Sequence, residues 1–182
     1  YNPETRETAR NQSGSFYTPR EIGNYMVDES LKAYLEKGNG FPAELIQEVM
    51  SDNFVYRENK QIEYQNLAIH LKSVKILDPA CGGKMFYFDK NDPRVLFCDC
   101  REFEDILCDG RSLVVKPDEV VDFRNLPFPD GQFPLVIFDP PHLRRVGDKS
   151  WMLKKYGKLP NEGWKEYLAQ GFKECWRVLS PH

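Results

Sequence analysis

Two short motifs about sixty residues apart carry residue types able to do chemistry. The first is Asp78-Pro79-Ala80-Cys81-Gly82 and the second is Asp139-Pro140-Pro141-His142. Each follows an apolar run suited to a buried strand, Val74 to Leu77 in one case and Leu135 to Phe138 in the other. A carboxylate or glycine turn just past a parallel strand is where α/β sheets bind ligands. Two such strand ends predict one crevice that holds a nucleotide-like cofactor beside a second planar group.

The first motif continues Cys81-Gly82-Gly83, which is neither the Gly-x-Gly-x-x-Gly of dinucleotide binders nor a phosphate-binding loop. A cofactor without a pyrophosphate is the better expectation. Asp99 ends a second strand run, Val95 to Cys98, 21 positions after Asp78. An acidic residue at that spacing suits ribose hydroxyls, and Cys100 follows it. Asp122 follows a third run near Glu119 to Val121; it can receive an amino group with Phe123 beside the ring, or simply open a turn. In the second motif the two prolines fix φ and remove two N–H donors. The rigid loop leaves the Asp139 carboxylate and backbone carbonyls free to accept an exocyclic amino group, and the His142 ring free to stack.

Positioning these residues requires a parallel sheet with short connections. The four strand runs are bounded by turns, and their continuous apolar character fits strands buried on both faces. The stretch 101–118 has no helical period, and Cys108-Asp109-Gly110-Arg111 reads as a turn. Residues 83–92 hold a stubby helix at most. Before the sheet, Thr18, Pro19 and Glu21 spell a helix start. Ile22, Tyr25, Met26, Leu31, Tyr34 and Leu35 give it an apolar face, ended by Gly38 and Gly40. Shorter helices are predicted from Pro42 to Met50 and within 60–72. A last one carries Trp164, Leu168, Phe172, Cys175 and Leu179 at helical spacing.

Composition narrows the classes. The chain has 182 residues, 41% hydrophobic and 29% charged, with net charge −3. No overall basic field draws it to nucleic acid, although Arg144, Arg145, Lys149, Lys154, Lys155 and Lys158 form a local basic strip. Five cysteines and no secretion signal predict reduced thiols in the cytoplasm. Cys98, Cys100 and Cys108 lack the paired spacing of a zinc site, so no metal is expected. No apolar run is long enough to span a membrane. The absent starting methionine and the abrupt last residues predict a fragment.

With these residues in view, the chain resembles class I S-adenosylmethionine-dependent methyltransferases. Residues 12–82 resemble N6-adenine DNA methyltransferases of restriction–modification systems: Gly14-Ser15-Phe16-Tyr17-Thr18-Pro19 matches the Gly-x-Phe-Tyr-Thr-Pro segment of that family, and residues 78–82 match its cofactor loop. Residues 139–142 match the amino-methylating motif, Asn, Asp or Ser followed by Pro-Pro and a ring. Residues 83–182 are similar to small bacterial and phage methyltransferases with an Asp-Pro-Pro-His motif.

The resemblance implies a three-layer Rossmann-like α/β sheet of order 3-2-1-4, its C-terminal strands missing. A helical extension, 1–73, precedes the partial core, 74–182. It implies S-adenosylmethionine held by Phe16, Tyr17, Thr18, Pro19, Asp78, Pro79, Ala80, Cys81, Gly82, Asp99, Cys100, Asp122 and Phe123, with Asp139, Pro140, Pro141 and His142 catalytic. The implied acceptor is adenine N6 of DNA. RNA, a protein side chain or a small molecule are alternatives, as is a non-catalytic module. A separate target-recognition subunit or domain is implied as partner. The chain departs from the family at Gly83-Lys84-Met85, where two long side chains are expected against the cofactor loop, and at His142, where a larger ring is common.

Overall fold

The computed structural model describes residues 20–181, without 86, 108, 109 and 149, and without the side chains of residues 20–24, 26 and 27. The expected helix cap and the Phe16, Tyr17, Thr18 and Pro19 segment lie outside the described residues. Helix α1 spans Arg20–Ala33 and widens into a π-helical turn, Tyr34–Gly38. Helix α2 spans Ala43–Val49 behind Pro42, and α3 spans Gln61–Ser73. Tyr34, Leu35, Leu45, Ile46, Tyr64, Leu67 and Val74 pack into one core, joined by the partly buried Ile76 and Leu135 of the sheet. Tyr25 was expected on this face but is 65% exposed. Six helical residues separate it from Leu31, a rotation of roughly 120° away from the buried stripe.

Strands β1 (Ile76–Asp78), β2 (Val95–Asp99), β5 (Glu119–Val120) and β6 (Leu135–Val136) form a parallel sheet of order β5-β2-β1-β6. Ile76 pairs with Val95 on one side and Leu135 on the other, so β1 is central. Between β2 and β5 lies an antiparallel hairpin, β3 (Phe103–Ile106) with β4 (Ser112–Val115), where no element had been expected. Its turn does fall at the expected place: Leu107 donates to the Arg111 carbonyl, and Gly110 adopts φ +83°. No helix forms within the described part of 83–92, which runs through turns.

Helix α4 spans Trp151–Tyr156, and α5 spans Trp164–Val178. Side chains alternate across the sheet. Leu77 and Cys98 face a core completed by Leu126, Phe133 and Val178 of α5. Val95 and Phe97 face the other way, against Cys81 and Tyr87. Helices therefore lie on both faces, α5 on one and the N-terminal cluster over Ile76 and Leu135 on the other. Among the described residues, no helix is long and apolar enough to cross a membrane.

Gly171 fixes how α5 meets the strand ends. A Cβ there would lie 2.6 Å from the Phe123 ring and 3.1 Å from Phe138. Phe123 is 3% exposed and wedged edge-on between Phe138 and Tyr167, so it has no room to yield. Phe172, expected inward, sits one position off the buried stripe and is 57% exposed, touching only the edge of Phe138. Gly171→Ala is expected to lower stability by about 1–3 kcal/mol despite its better helix propensity. A denaturant midpoint at or above that of the parent chain would refute this packing.

Candidate functional site

The carboxyl ends of β1, β2 and β6 open into one crevice of about 310 Å³. Small-molecule sites begin near that size. Its walls include Asp78 to Gly83, Asp99 to Arg101, Phe123, and Asp139 to His142, with Lys155 and Tyr156 of α4 closing one side. Of the expected site residues that are described, all except Asp122 line it.

Local sequence explains how each part is held. The Cys81 N–H bonds the Cys98 carbonyl at 2.8 Å, pinning the loop after β1 onto β2. Gly82 adopts φ +50°, a region glycine enters at low cost, and its N–H reaches Asp99 Oδ2 at 2.9 Å. Lys84 also has positive φ, +53°. That turn swings its side chain away from the crevice, onto the Phe97 ring and the Lys90 carbonyl. The expected crowding by two long side chains therefore reduces to one, Met85, which lines the crevice and is 57% exposed. On the third wall, the Ile137 N–H bonds the Leu77 carbonyl at 2.8 Å and carries the sheet up to Asp139.

Asp78 is the most buried carboxylate, 3% exposed. It accepts from the Ala80 N–H at 3.1 Å and from the Tyr87 hydroxyl at 3.0 Å. Desolvation pushes its pKa up to about 6; the nearby Asp139 and Asp99 add to this, while the two hydrogen bonds oppose it. Desolvation likewise raises Asp139, with His142 opposing. Asp139 makes no hydrogen bond or ion pair among the described residues, so it faces the crevice as a free acceptor. The His142 ring meets Tyr156 at 5.6 Å between centroids. Pro141 packs against Gly157 at the end of α4; a Cβ on that glycine would lie 3.1 Å from it.

Asp99 is not free. Arg101 donates to it from its own N–H at 2.9 Å, from Nε at 3.0 Å and from its guanidinium at 3.3 Å, while also reaching the Lys154 carbonyl. Asp122 is tied in the same way to Arg124, whose guanidinium stacks over Tyr167. That pairing turns Asp122 out of the crevice, while Phe123 stays at its floor.

Arg101, Lys155, Tyr156 and Tyr87 were not picked out as site residues. For Arg101 a signal existed: Asp92-x-Arg94, Asp99-x-Arg101 and Asp122-x-Arg124 share one spacing, and all three fold into the same bonded turn. Burial pushes the Cys81 and Cys98 thiols up to about 12, so neither is a ready thiolate. No group of three or more potential ligands converges on a metal position among the described residues.

No family model, curated protein or solved structure matches this chain.

The raised Asp78 pKa makes a stability prediction. The folded chain holds a proton between about pH 4 and 6 that the unfolded chain releases, so stability falls as pH rises through this window. Asp78→Asn keeps the shape, removes the buried charge and should be more stable than the parent at pH 7. The difference should shrink as pH falls below about 5. Thermal midpoints at several pH values check it; a variant less stable at pH 7 than at pH 4, relative to the parent, would contradict the burial argument.

Proposed function

We propose that this chain is an S-adenosylmethionine-dependent methyltransferase acting on an exocyclic amino nitrogen, with adenine N6 of DNA the favoured acceptor. The carrying observation is that Asp139, an acceptor with no partner among the described residues, opens into the crevice shared with the Asp78–Gly82 turn and Asp99. The order β5-β2-β1-β6, with helices on both faces, supports a Rossmann-like methyltransferase core. The motifs at 78–82 and 139–142 support the particular chemistry.

The donor set fits the cofactor in kind. Asp99 suits two ribose hydroxyls, provided that Arg101 releases its oxygens. Cys100 and Phe123 offer an apolar edge to an adenine, and the Asp78 carboxylate suits a nearby cation. Bound there, S-adenosylmethionine supplies a methyl group carried on a sulfonium.

The residues of the chain then have to place an amino nitrogen in line with that methyl group. The Asp139 carboxylate and the Pro140 carbonyl accept its two hydrogens and draw its lone pair out of the ring. A nitrogen so held would take the methyl group with its lone pair, the sulfur of a bound cofactor keeping the electron pair of the C–S bond given up. A carboxylate raised by desolvation is also a competent first acceptor for the proton that the nitrogen sheds. His142, backed by Tyr156, gives the base a surface to stack on. The positive charge moves from sulfur to nitrogen and leaves with the shed proton, so placement outweighs strong acid–base catalysis. A duplex base would have to leave its stack to reach the loop.

A second reading is favoured by one observation. Arg101 occupies both Asp99 oxygens, as in a methyltransferase-like module that has no cofactor. Calorimetric titration with S-adenosylmethionine separates the two. One-to-one binding that is lost in Asp99→Ala supports the enzyme; no binding by the folded chain supports the module. Asp139→Ala is expected to keep cofactor affinity and lower methyl transfer to an adenine-containing strand at least about 100-fold. Full activity in that variant would remove the role given to the loop.

A further inference from the structure

The segment from His142 to Glu166 reverses the charge of the chain: seven lysines and arginines stand against three acidic residues, in a protein of net charge −3. Its cations are interleaved with rings. Lys155 lies 5.9 Å from the Trp151 ring and 5.0 Å from Tyr156. Arg144 lies 5.0 Å from the Trp164 ring, and Lys165 lies 5.7 Å from it. These groups are contiguous. Tyr156 meets His142, the Leu159 N–H bonds the Leu143 carbonyl at 2.8 Å, and Arg144 continues to Trp164. Together they form a rim that meets the crevice at His142, Lys155 and Tyr156 and includes Trp151, which is 38% exposed.

The charges on this rim are not all committed. Lys154 is bound to Asp105, and Lys158 is held by the Val146 carbonyl near Asp148. Arg144, Arg145, Lys155 and Lys165 make no ion pair or hydrogen bond among the described residues. Glu162 and Glu166 are the other acidic residues of the segment, and neither bonds a rim cation among the described residues. The N-cap side chain of Ser150 and the left-handed Gly157, φ +72°, bracket α4 and hold the Trp151–Lys155–Tyr156 group in place.

We propose that this rim binds single-stranded nucleic acid and feeds it past His142 into the crevice. A stacking ring beside a free cation, repeated along a short track, matches a chain of planar bases joined by phosphates. The track meets the crevice at His142, Lys155 and Tyr156, where a base must already be out of its stack to enter, and this suits an unpaired strand better than a duplex. The inference rests on reading the crevice as an acceptor pocket, and it adds the form of the acceptor: an unpaired strand, engaged by 142–166 of this chain itself.

The test is fluorescence anisotropy of a labelled twenty-residue oligothymidylate, titrated with the whole chain without cofactor. Thymine has no exocyclic amino group, so the surface is read separately from methyl transfer and from cofactor binding. The expected result is binding that weakens about tenfold or more between 50 and 200 mM salt, as release of several counterions requires. A duplex of equal length should bind at least several-fold more weakly. Trp151→Ala should weaken single-strand binding about tenfold. Arg144→Ala with Lys155→Ala should both weaken binding and flatten the salt slope, while Lys72→Ala, on the exposed side of α3, should change neither. Absence of binding by the folded chain, preference for the duplex, or equal losses in the rim and Lys72 variants would overturn the proposal.

Discussion

The crevice depends on a carboxyl group buried where β1 ends. Asp78 cannot be hydrated there, so the chain must answer it with donors: the Ala80 N–H from the turn just beyond it and the Tyr87 hydroxyl from further along. Satisfying Asp78 thus ties two parts of the loop to one point. The same loop is pinned by the Cys81 N–H to β2 and by the Gly82 N–H to Asp99. Three contacts within five residues leave the segment little freedom, and the wall it forms is rigid although it contains no helix. Where a first helix is common in sheets of this kind, the chain uses a polar knot.

The sequence made several elements readable for local reasons. Pro42 marked the start of α2, the helical spacing of α5 was plain, and the four strand runs stood between turn residues. The gathering of two strand ends into one crevice follows from β1 lying between β2 and β6. Other features depended on contacts that no local pattern carries. Phe103–Ile106 and Ser112–Val115 are short, half-exposed strands, the first mixing charged with apolar residues, so their pairing was hidden until the turn between them closed. Lys84 was read by its length, but its backbone conformation decides where that length goes.

The site was legible in its carboxylates and not in its cations. Asp78, Asp99 and Asp139 stand at strand ends, and strand ends can be found from apolar runs. Lys155 reaches the same space from a two-turn helix through tertiary packing, while Arg101 is held there by its short-range turn with Asp99. Asp122 has the expected strand-end position yet points elsewhere, because Arg124 two residues on captures it. A neighbour at short range outweighed a role inferred from position.

The repeated aspartate–arginine turn gives Asp99 a consequence of its own. Its oxygens already hold a guanidinium that also bridges to the Lys154 carbonyl at the foot of α4. Any newcomer claiming Asp99 must therefore exchange partners rather than fill a vacancy. Only a group presenting two donors side by side replaces what the carboxylate gives up, so the fit is filtered by geometry before affinity is counted. The same arginine also holds the Lys154 carbonyl through its other nitrogen, so one side chain links the strand-end carboxylate to the α4 wall of the crevice.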